Sequence, residues 1–301
     1  MLQDGLLRGR RILITGGGTG LGLAMADRFA ALGAQLVLSG RRAEVLAAAR
    51  DGLVARHGAS VQTLTCDVRD ATAVDAMFNA AWQQGPLDVL VNNAAATFIA
   101  QTERLSARAA DAILGPTLHG ALYCTLQAGR RWIDSGRPGV VLSILSTSTR
   151  TGRAFTVPSA MAKSALLAMT RSLAVEWGPH GIRSVAIAPG PFPTAGAGQA
   201  LDPTAGRAFA NAASDAEASA GAGVAAGARA AAAYPANPLG RVGRPPELAE
   251  LAAFLVSDSA AYINGEMIAI DGGQHLRTSG AEDLLAWGPD DWARARAGRG
   301  G

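Results

Sequence analysis

A cluster of hydroxyl groups and one lysine lies within residues 143–163. Ser146, Ser148 and Ser159 precede Lys163 there, and the segment contains no tyrosine. Serine hydroxyls donate hydrogen bonds but are poor acids, and a lysine ammonium adds a positive charge with three donors. Such donors can stabilise an oxygen on which negative charge develops during a reaction. The segment therefore has the hydrogen-bond donors of an active site but lacks a phenol that could act as its acid.

A glycine-rich loop near the N-terminus could hold phosphates. It has the spacing Gly16-x-x-x-Gly20-x-Gly22, follows a short apolar run and precedes a helical pattern. Glycine lets the backbone turn tightly and approach a pyrophosphate closely, and a helix N-terminus offers free N–H groups and the positive end of its dipole. At the first strand–helix junction, this spacing predicts a dinucleotide-binding loop.

The residues after the second apolar run distinguish NAD from NADP. An NAD site has a carboxylate there for the ribose hydroxyls, whereas this chain has Ser39-Gly40-Arg41-Arg42. Two guanidinium groups can bind a 2′-phosphate through paired hydrogen bonds. We therefore expect NADP(H) as the cofactor.

Alternating strands and helices must position these residues. Short and nearly continuous apolar runs are typical of strands that are buried on both faces. Seven such runs span residues 11–15, 35–39, 61–66, 87–92, 140–145, 184–188 and 267–270. Helical periodicity occupies residues 21–32, 44–57, 72–84 and 159–177. The alternation predicts an α/β fold, a doubly wound Rossmann-type sheet of seven parallel strands with helices on both faces.

The composition is typical of one globular domain. The chain has 301 residues, 49% of them hydrophobic and 17% charged, which is enough for one large core. A net charge of +3 without a long basic run predicts neither nucleic-acid nor membrane binding. Cys66 and Cys124 match no metal-ligand spacing. They are expected to be buried in the core as small hydrophobic residues, in a protein of the reducing cytosol. Since there is no signal-peptide pattern and no apolar run of about 18 residues, we expect a cytoplasmic protein.

Residues 205–233 interrupt the alternation. They are rich in Ala, Gly and Ser and almost free of bulky apolar side chains, so they cannot anchor themselves in a core. They follow the carboxyl end of a strand, where ligands bind in such sheets. Both a substrate lid and a neutral surface insertion agree with this position. We expect one domain over residues 1–301, with this insertion in the lid region.

Six motifs, in this order, resemble those of the short-chain dehydrogenases/reductases. They are TGGGTGLG at the glycine loop, CDVRD at 66–70, NNAA at 92–95, PSAMAK at 158–163, APGP at 188–191 and DGG at 271–273. More narrowly, three longer segments resemble the 2,4-dienoyl-CoA reductases, nearest the mitochondrial type. They are NNAAATFIAQTERLS, FTVPSAMAKSALLAMTRSLAVEWGPHGIR and INGEMIAIDGG. The resemblance covers nearly the whole chain and implies a nicotinamide-dependent reductase.

The resemblance also implies which residues hold the cofactor. Lys163 is expected to hold the nicotinamide ribose, and Pro189 and Gly190 to lie beside the nicotinamide. Asp67 and Val68 are expected to flank the adenine. Arg41 and Arg42 are expected to hold the 2′-phosphate, and Asn93 and Ala94 to line the adenosine ribose. The residues expected to hold the pyrophosphate are Gly16, Thr19, Gly20, Leu21 and Gly22.

At the catalytic positions the chain departs from the family pattern. The superfamily's phenol, four residues before the lysine, corresponds to Ser159, and the dienoyl-CoA reductases also have serine there. Their tyrosine, from earlier in the segment, corresponds to Ser148. Two family asparagines correspond to Thr97 and His119. Both phenol positions, 148 and 159, therefore hold serine in this chain. Ser146 stands where the superfamily keeps its catalytic serine.

The source of the proton is therefore open. Hydride addition to an enoyl or dienoyl thioester builds negative charge on the thioester oxygen, and loss of one donor typically slows such a step by about 10²–10³. His119 could transfer the proton, since imidazole is the usual acid–base group near neutral pH. It could equally be a helix histidine bonded to a backbone carbonyl. Tyr123 shares its helix face by i,i+4 spacing, and Tyr234 is a further phenol to consider.

Three functions agree with the sequence. The first is an NADP(H)-dependent oxidoreductase acting on an unsaturated acyl thioester or a conjugated carbonyl, favoured by the intact cofactor motifs and Lys163. The second is a non-redox isomerase, lyase or cyclase, and the third is a cofactor-binding protein without catalysis. We expect a small-molecule substrate and a homotetramer. One interface should contain two long helices, expected over residues 105–133 and 159–177, and another should contain residues 267–273.

Overall fold

The centre of the fold is a seven-stranded, all-parallel sheet, seen in a computed structural model that describes residues 2–194, 237–277, 284 and 287–297. Its strands are β1 (Arg11–Thr15), β2 (Gln35–Gly40), β3 (Val61–Thr65), β4 (Val89–Asn92), β5 (Gly139–Ile144), β6 (Ile182–Pro189) and β7 (Met267–Ile270). The strand order is β3-β2-β1-β4-β5-β6-β7. The order reverses between β1 and β4, and ligands bind at such a switch point, beyond the carboxyl ends of the strands.

Helices connect the strands and cover both faces of the sheet. They are α1 (Gly20–Ala31), α2 (Ala43–His57), α3 (Ala71–Gln83), α4 (Ala107–Leu114), α5 (Gly120–Asp134), α6 (Ser148–Thr151), α7 (Val157–Glu176), α8 (Pro245–Val256) and α9 (Pro289–Ala297). Helices α1, α2 and α8 pack on one face, and α3, α5 and α7 pack on the other. Within the described ranges, no helix is both long and apolar enough to cross a membrane.

Large buried side chains join each helix layer to the sheet. On one face, Phe29 of α1 and Leu255 of α8 are fully buried. On the other, Phe78 of α3 and Trp132 of α5 are fully buried, and the Trp132 indole donates a hydrogen bond to the Leu87 carbonyl at 2.6 Å. Full burial of such a side chain stabilises the fold by about 2 kcal/mol.

The sequence-based prediction of the fold is confirmed. Strands β1 and β7 have the predicted bounds, and the other strands and the four predicted helices agree with them within two residues at each end. The reason is that continuous burial on both faces makes parallel strands stand out as apolar runs. The predicted insertion at residues 205–233 and Tyr234 lie outside the described residues.

The region between β4 and β5 differs from the single long helix expected within residues 105–133. Helix α4 ends at Leu114, a π-helical turn spans Gly115–His119, and α5 begins at Gly120. Pro116 has no N–H group, and its ring clashes with the carbonyl four residues earlier, so the α-helical hydrogen bonds are interrupted there. Such π turns often lie at functional sites.

Candidate active site

The loop from β1 to α1 has room only for glycine at its closest contact. A Cβ atom on Gly22 would lie 2.3 Å from the Gly16 carbonyl oxygen and 2.6 Å from Asn93 Nδ2. Gly16 and Gly20 have φ angles of 65° and 56°, which other residues rarely adopt. Helix α1 then begins at Gly20, and the side chain of Thr19 caps none of its N–H groups. The loop therefore presents free N–H groups at a helix N-terminus, as a pyrophosphate site requires.

A threonine at the end of β1 ties this loop to the end of β4. Thr15 Oγ1 donates to the Val91 carbonyl at 3.2 Å and accepts from the N–H groups of Asn93 and Ala94 at 3.0 and 3.1 Å. In return, Asn93 Nδ2 donates to the Thr15 carbonyl at 2.9 Å. These bonds hold the glycine loop and the residues after β4 as one rigid floor.

A cleft of about 330 Å³ opens above this floor, at the carboxyl ends of β1 to β4. Eight of the residues that the sequence assigned to the cofactor line it: Gly16, Thr19, Arg41, Arg42, Asp67, Val68, Asn93 and Ala94. Gly20 and Gly22 shape the loop beneath it, whereas the Leu21 side chain packs against the hydrophobic core. Leu21 can therefore contribute its backbone but not its side chain.

Three guanidinium groups line this cleft where β2 and β3 end. Arg41 and Arg42 are exposed after β2, and neither has a carboxylate partner in the described part of the chain. Arg69 is different, because its Nε lies 2.9 Å from Asp67 Oδ1. This bond lowers the pKa of the Asp67 carboxyl, with Arg41 adding a smaller effect. The cleft thus offers two positive charges, neither in an ion pair within the described residues, where an NAD site has an acid.

Lys163 lies on the other side of the site, in a dry position. It is 7% exposed, and its Nζ donates to the Ile144 carbonyl at the end of β5, at 2.5 Å. Burial disfavours the charged ammonium and lowers the pKa of Lys163 to about 8. It is also the only lysine in the chain. At neutral pH it still supplies a positive charge to the site.

The serines predicted for catalysis lie at the two ends of the segment before Lys163. Ser146 and Ser148 share one turn after β5, and Ser148 Oγ donates to Ser146 Oγ at 3.1 Å. Ser159 lies in the first turn of α7, one helical turn before Lys163 and on the same face. All three serines are half-buried.

His119 is exposed at the junction of the π turn and α5. Its ring centroid lies 6.2 Å from that of Tyr123, and no hydrogen bond joins it to Lys163 or the serines within the described residues. Tyr123 packs partly into the core. Thr97 is half-buried in the loop after β4. His119 and Thr97 both lie beyond the carboxyl ends of the strands. The hydrogen bonds between the π turn and the loop after β4 are made by another side chain of the π turn.

That side chain is Thr117, which the sequence analysis missed. It is fully buried, accepts a hydrogen bond from the Ala96 N–H at 3.0 Å and donates one to the Ala96 carbonyl at 3.3 Å. Thr15 and Arg69 were also missed. A hydroxyl as the last residue of a buried strand would have indicated Thr15, and the motif CDVRD already contained Arg69. No sequence signal predicts the contact of Thr117 with Ala96.

The end of β6 joins the serine turn to the end of β7. The Thr147 N–H donates to the Pro189 carbonyl at 3.4 Å, and the Gly190 N–H donates to the Ile270 carbonyl at 3.0 Å. A Cβ atom on Gly190 would lie 2.5 Å from Asp271 Cβ, so only glycine fits. The two residues expected beside the nicotinamide are therefore held by β5 and β7.

The two cysteines are free and buried. Cys66 borders the cleft, and burial raises the pKa of its thiol to about 11. Burial also raises the pKa of the Cys124 thiol. Both thiols are therefore protonated at neutral pH, and neither is a nucleophile.

Comparisons with known proteins agree with this geometry. Residues 10–204 match the family described as short chain dehydrogenase, and residues 212–275 match that described as Enoyl-(Acyl carrier protein) reductase. A probable 2,4-dienoyl-CoA reductase of Bacillus subtilis is 39% identical over 269 residues, 89% of this chain and 97% of that protein. One from Caenorhabditis elegans is 37% identical over 298 residues, 97% and 90% of the two chains.

Solved structures share the fold. A short chain dehydrogenase from Bacillus anthracis has a TM-score of 0.75 and 35% identity, over 90% of this chain and 98% of that chain. A putative 2-deoxy-d-gluconate 3-dehydrogenase from Agrobacterium tumefaciens, solved with bound NADP, has a TM-score of 0.74 and 30% identity over 91% and 100%. A 3-ketoacyl-(acyl-carrier-protein) reductase from Brucella melitensis, solved with NADH, has a TM-score of 0.75 and 27% identity, over 89% of this chain and 99% of that chain. Chains of this fold thus bind either nicotinamide dinucleotide.

Proposed function

The chain belongs to the short-chain dehydrogenase family, and we propose that it is an NADP(H)-dependent oxidoreductase that reduces an unsaturated acyl thioester or a related conjugated carbonyl compound. The observation that carries the cofactor assignment is the cleft that ends at Arg41 and Arg42 without a carboxylate partner in the described chain. The substrate class is supported by the similarity to 2,4-dienoyl-CoA reductases.

The described residues fit such a dinucleotide. The N–H groups at the start of α1 would bind the pyrophosphate, because Gly16 and Gly20 have no Cβ in their way. Arg41 and Arg42 would bind the 2′-phosphate, and Asn93 the adenosine ribose. When bound, NADPH supplies a hydride. Lys163, at the far end of the site, would hold the nicotinamide ribose.

The chain's own donors would stabilise the substrate oxygen that becomes negative during reduction. Ser146 and Ser148 present two hydroxyls at one turn, and Ser159 presents a third near Lys163. Each is a weaker acid than a phenol, but each can donate a hydrogen bond. The Lys163 ammonium adds a positive charge in a dry environment, where charge acts more strongly than in water.

Two variants identify the proton donor. We expect Ser148→Tyr to raise turnover of a 2,4-dienoyl thioester, because it restores a phenol in the turn near Lys163. We expect His119→Ala to lower turnover if imidazole transfers the proton. A gain with the first and no loss with the second indicates a weakened reductase of the dienoyl type. A loss with the second and no gain with the first indicates a rebuilt site, and no change with either would show that this is not the active site.

Steady-state oxidation of NADPH tests the function itself. The unmodified protein should consume NADPH with a 2,4-dienoyl-CoA or an enoyl-CoA and leave a saturated acyl-CoA untouched. The saturated thioester is a matched control, since it differs only in the conjugated double bond. If the protein consumed no NADPH with any of several conjugated thioesters and ketones, the proposal would be contradicted.

A further inference from the structure

Three linked polar side chains lie beside the site and have no part in the proposed chemistry. Asp271, at the end of β7, is buried, and its carboxylate accepts from His275 Nδ1 at 2.8 Å. The same carboxylate accepts from the N–H groups of Gly273 and His275 at 3.0 and 2.7 Å. On the far side of the ring, His275 Nε2 lies 3.2 Å from Arg150 Nη1. The result is a continuous carboxylate–imidazole–guanidinium chain.

These hydrogen bonds determine which ring nitrogen of His275 carries the proton. A guanidinium can only donate hydrogen bonds, so His275 Nε2 must accept from Arg150. The ring proton is then on Nδ1, which donates to Asp271, and the imidazole is neutral. Arg150 is therefore held in place by a neutral acceptor, and its positive charge is not cancelled by the contact.

The position of these three side chains indicates which ligand group Arg150 could bind. Arg150 lies in α6, two residues after Ser148, and Asp271 packs against Gly190, which is expected beside the nicotinamide. This edge belongs to β5, β6 and β7, whereas the cleft that accommodates the cofactor's adenosine lies over β1 to β4. An anion bound by Arg150 would therefore belong to the substrate and not to the cofactor's phosphates.

The loop around Arg150 presents both charge and apolar surface. Arg150 and Arg153 are exposed, and no carboxylate within residues 2–194 or 237–277 lies within 4.0 Å of either guanidinium. Phe155 follows, 55% exposed, with a φ angle of 62° that a non-glycine residue rarely adopts. Its carbonyl accepts from the Ala100 N–H at 3.0 Å, which joins the loop to the segment after β4. Such a surface suits a ligand with an apolar chain and an anionic group.

We infer that Arg150, positioned by His275 and Asp271, forms a subsite for an oxyanion of the substrate. The shared chemistry is a phosphate of a thioester carrier or a carboxylate on the acyl chain, either of which a guanidinium binds through paired hydrogen bonds. The inference rests on the proposed function for the location of the substrate. Arg150 acts as a binding residue, and His275 and Asp271 act as positioning residues.

Binding to the NADP⁺-saturated full-length protein tests this subsite, because the 2′-phosphate contacts are then already made. We expect coenzyme A to bind in calorimetry and Arg150→Gln to weaken it by about tenfold, with NADP⁺ affinity unchanged. Pantetheine, which has no phosphate, should not respond to the variant. Arg8→Gln is the matched control, since Arg8 is an exposed arginine just before β1, at the amino end of the strands, whereas Arg150 lies beyond their carboxyl end.

A dicarboxylate such as glutarate separates the two sources of the anion. A response of glutarate but not of coenzyme A to Arg150→Gln supports a carboxylate, and the reverse supports a carrier phosphate. If neither ligand responds, the subsite is refuted. His275→Phe should weaken the same ligand, and His275→Gln, which keeps a carbonyl acceptor, should restore part of the affinity. An equal loss with both His275 variants would show that His275 only supports the fold.

Turnover separates this inference from the proposed function. If a conjugated thioester is reduced with the same KM by the unmodified protein and Arg150→Gln, the function stands and the subsite fails. If no conjugated thioester is reduced but anion binding depends on Arg150, the subsite stands and the substrate assignment fails.

Discussion

At the scale of single residues, we propose that two neighbouring arginines select the cofactor. Arg41 and Arg42 border the cleft, and neither has a carboxylate partner among the described residues. We expect the unmodified protein to bind NADPH at least about tenfold more tightly than NADH, because charge-assisted bonds to the 2′-phosphate are made only by NADPH. The double change Arg41→Ala and Arg42→Ala should remove the preference and leave NADH affinity unchanged. Equal calorimetric affinities for both nucleotides in the unmodified protein would refute the assignment.

A second residue-scale prediction concerns the charge on Lys163. Its pKa is about 8 in the folded protein and has an ordinary value of 10.5. Between these pH values the unfolded chain binds more protons, so this group makes stability rise with pH in that window. Relative to Lys163→Met, the unmodified protein should gain about 3 kcal/mol of unfolding free energy between pH 8 and 10.5. Parallel stability curves for the two proteins, from denaturant titrations at both pH values, would contradict the lowered pKa.

The same variant also tests the position of Lys163 relative to the cofactor. If the ammonium holds the nicotinamide ribose, Lys163→Met should weaken NADPH binding as well as turnover. Because Lys163 is the only lysine, lysine-labelled protein gives one side-chain NMR signal. That signal should shift when NADPH is added. An unchanged nucleotide affinity together with an unchanged signal would show that the lysine is elsewhere.

At the scale of elements, the junction between β1 and α1 leaves no room for a side chain at Gly22. We expect Gly22→Ala to abolish measurable NADPH binding and to lower the unfolding free energy by about 1–3 kcal/mol, because its Cβ would lie 2.3 Å from the Gly16 carbonyl. Gly178→Ala is the control, since its Cβ would lie 3.9 Å from its nearest neighbour, Asn264. Unchanged NADPH affinity in Gly22→Ala would show that the loop does not bind the pyrophosphate.

Elements also show how far sequence alone could go. The strands, the helices and the glycine loop could be predicted because their signals are local: apolar runs, helical periodicity and glycine spacing. The contact of Arg150 with His275 could not, because the residues are 125 positions apart and meet only when α6 packs beside the end of β7. The split of the expected long helix was signalled by Pro116, but the wide π turn and the burial of Thr117 depend on packing against the loop after β4.

At the scale of the whole molecule, we propose one domain over residues 1–301 that assembles as a homotetramer. Exposed apolar side chains on α5 and α7 support one interface: Leu122, Leu126, Met161 and Val175. Light scattering at micromolar concentration should give the mass of a tetramer, and Leu126→Glu should reduce it. Val54→Glu, on the opposite face of the sheet, is the matched control and should leave the mass unchanged. A monomer in the unmodified protein would refute the assembly.

The transfer of deuterium from NADPH labelled at nicotinamide C4 tests the central claim most directly. A 2,4-dienoyl-CoA is incubated with the protein and labelled NADPH, and the product is analysed by mass spectrometry. We predict a reduced acyl group that carries one deuterium on carbon, formed in equal amount to the NADPH consumed. An unlabelled isomer of the substrate, formed while NADPH stays intact, would contradict an oxidoreductase and indicate a non-redox reaction on the same scaffold.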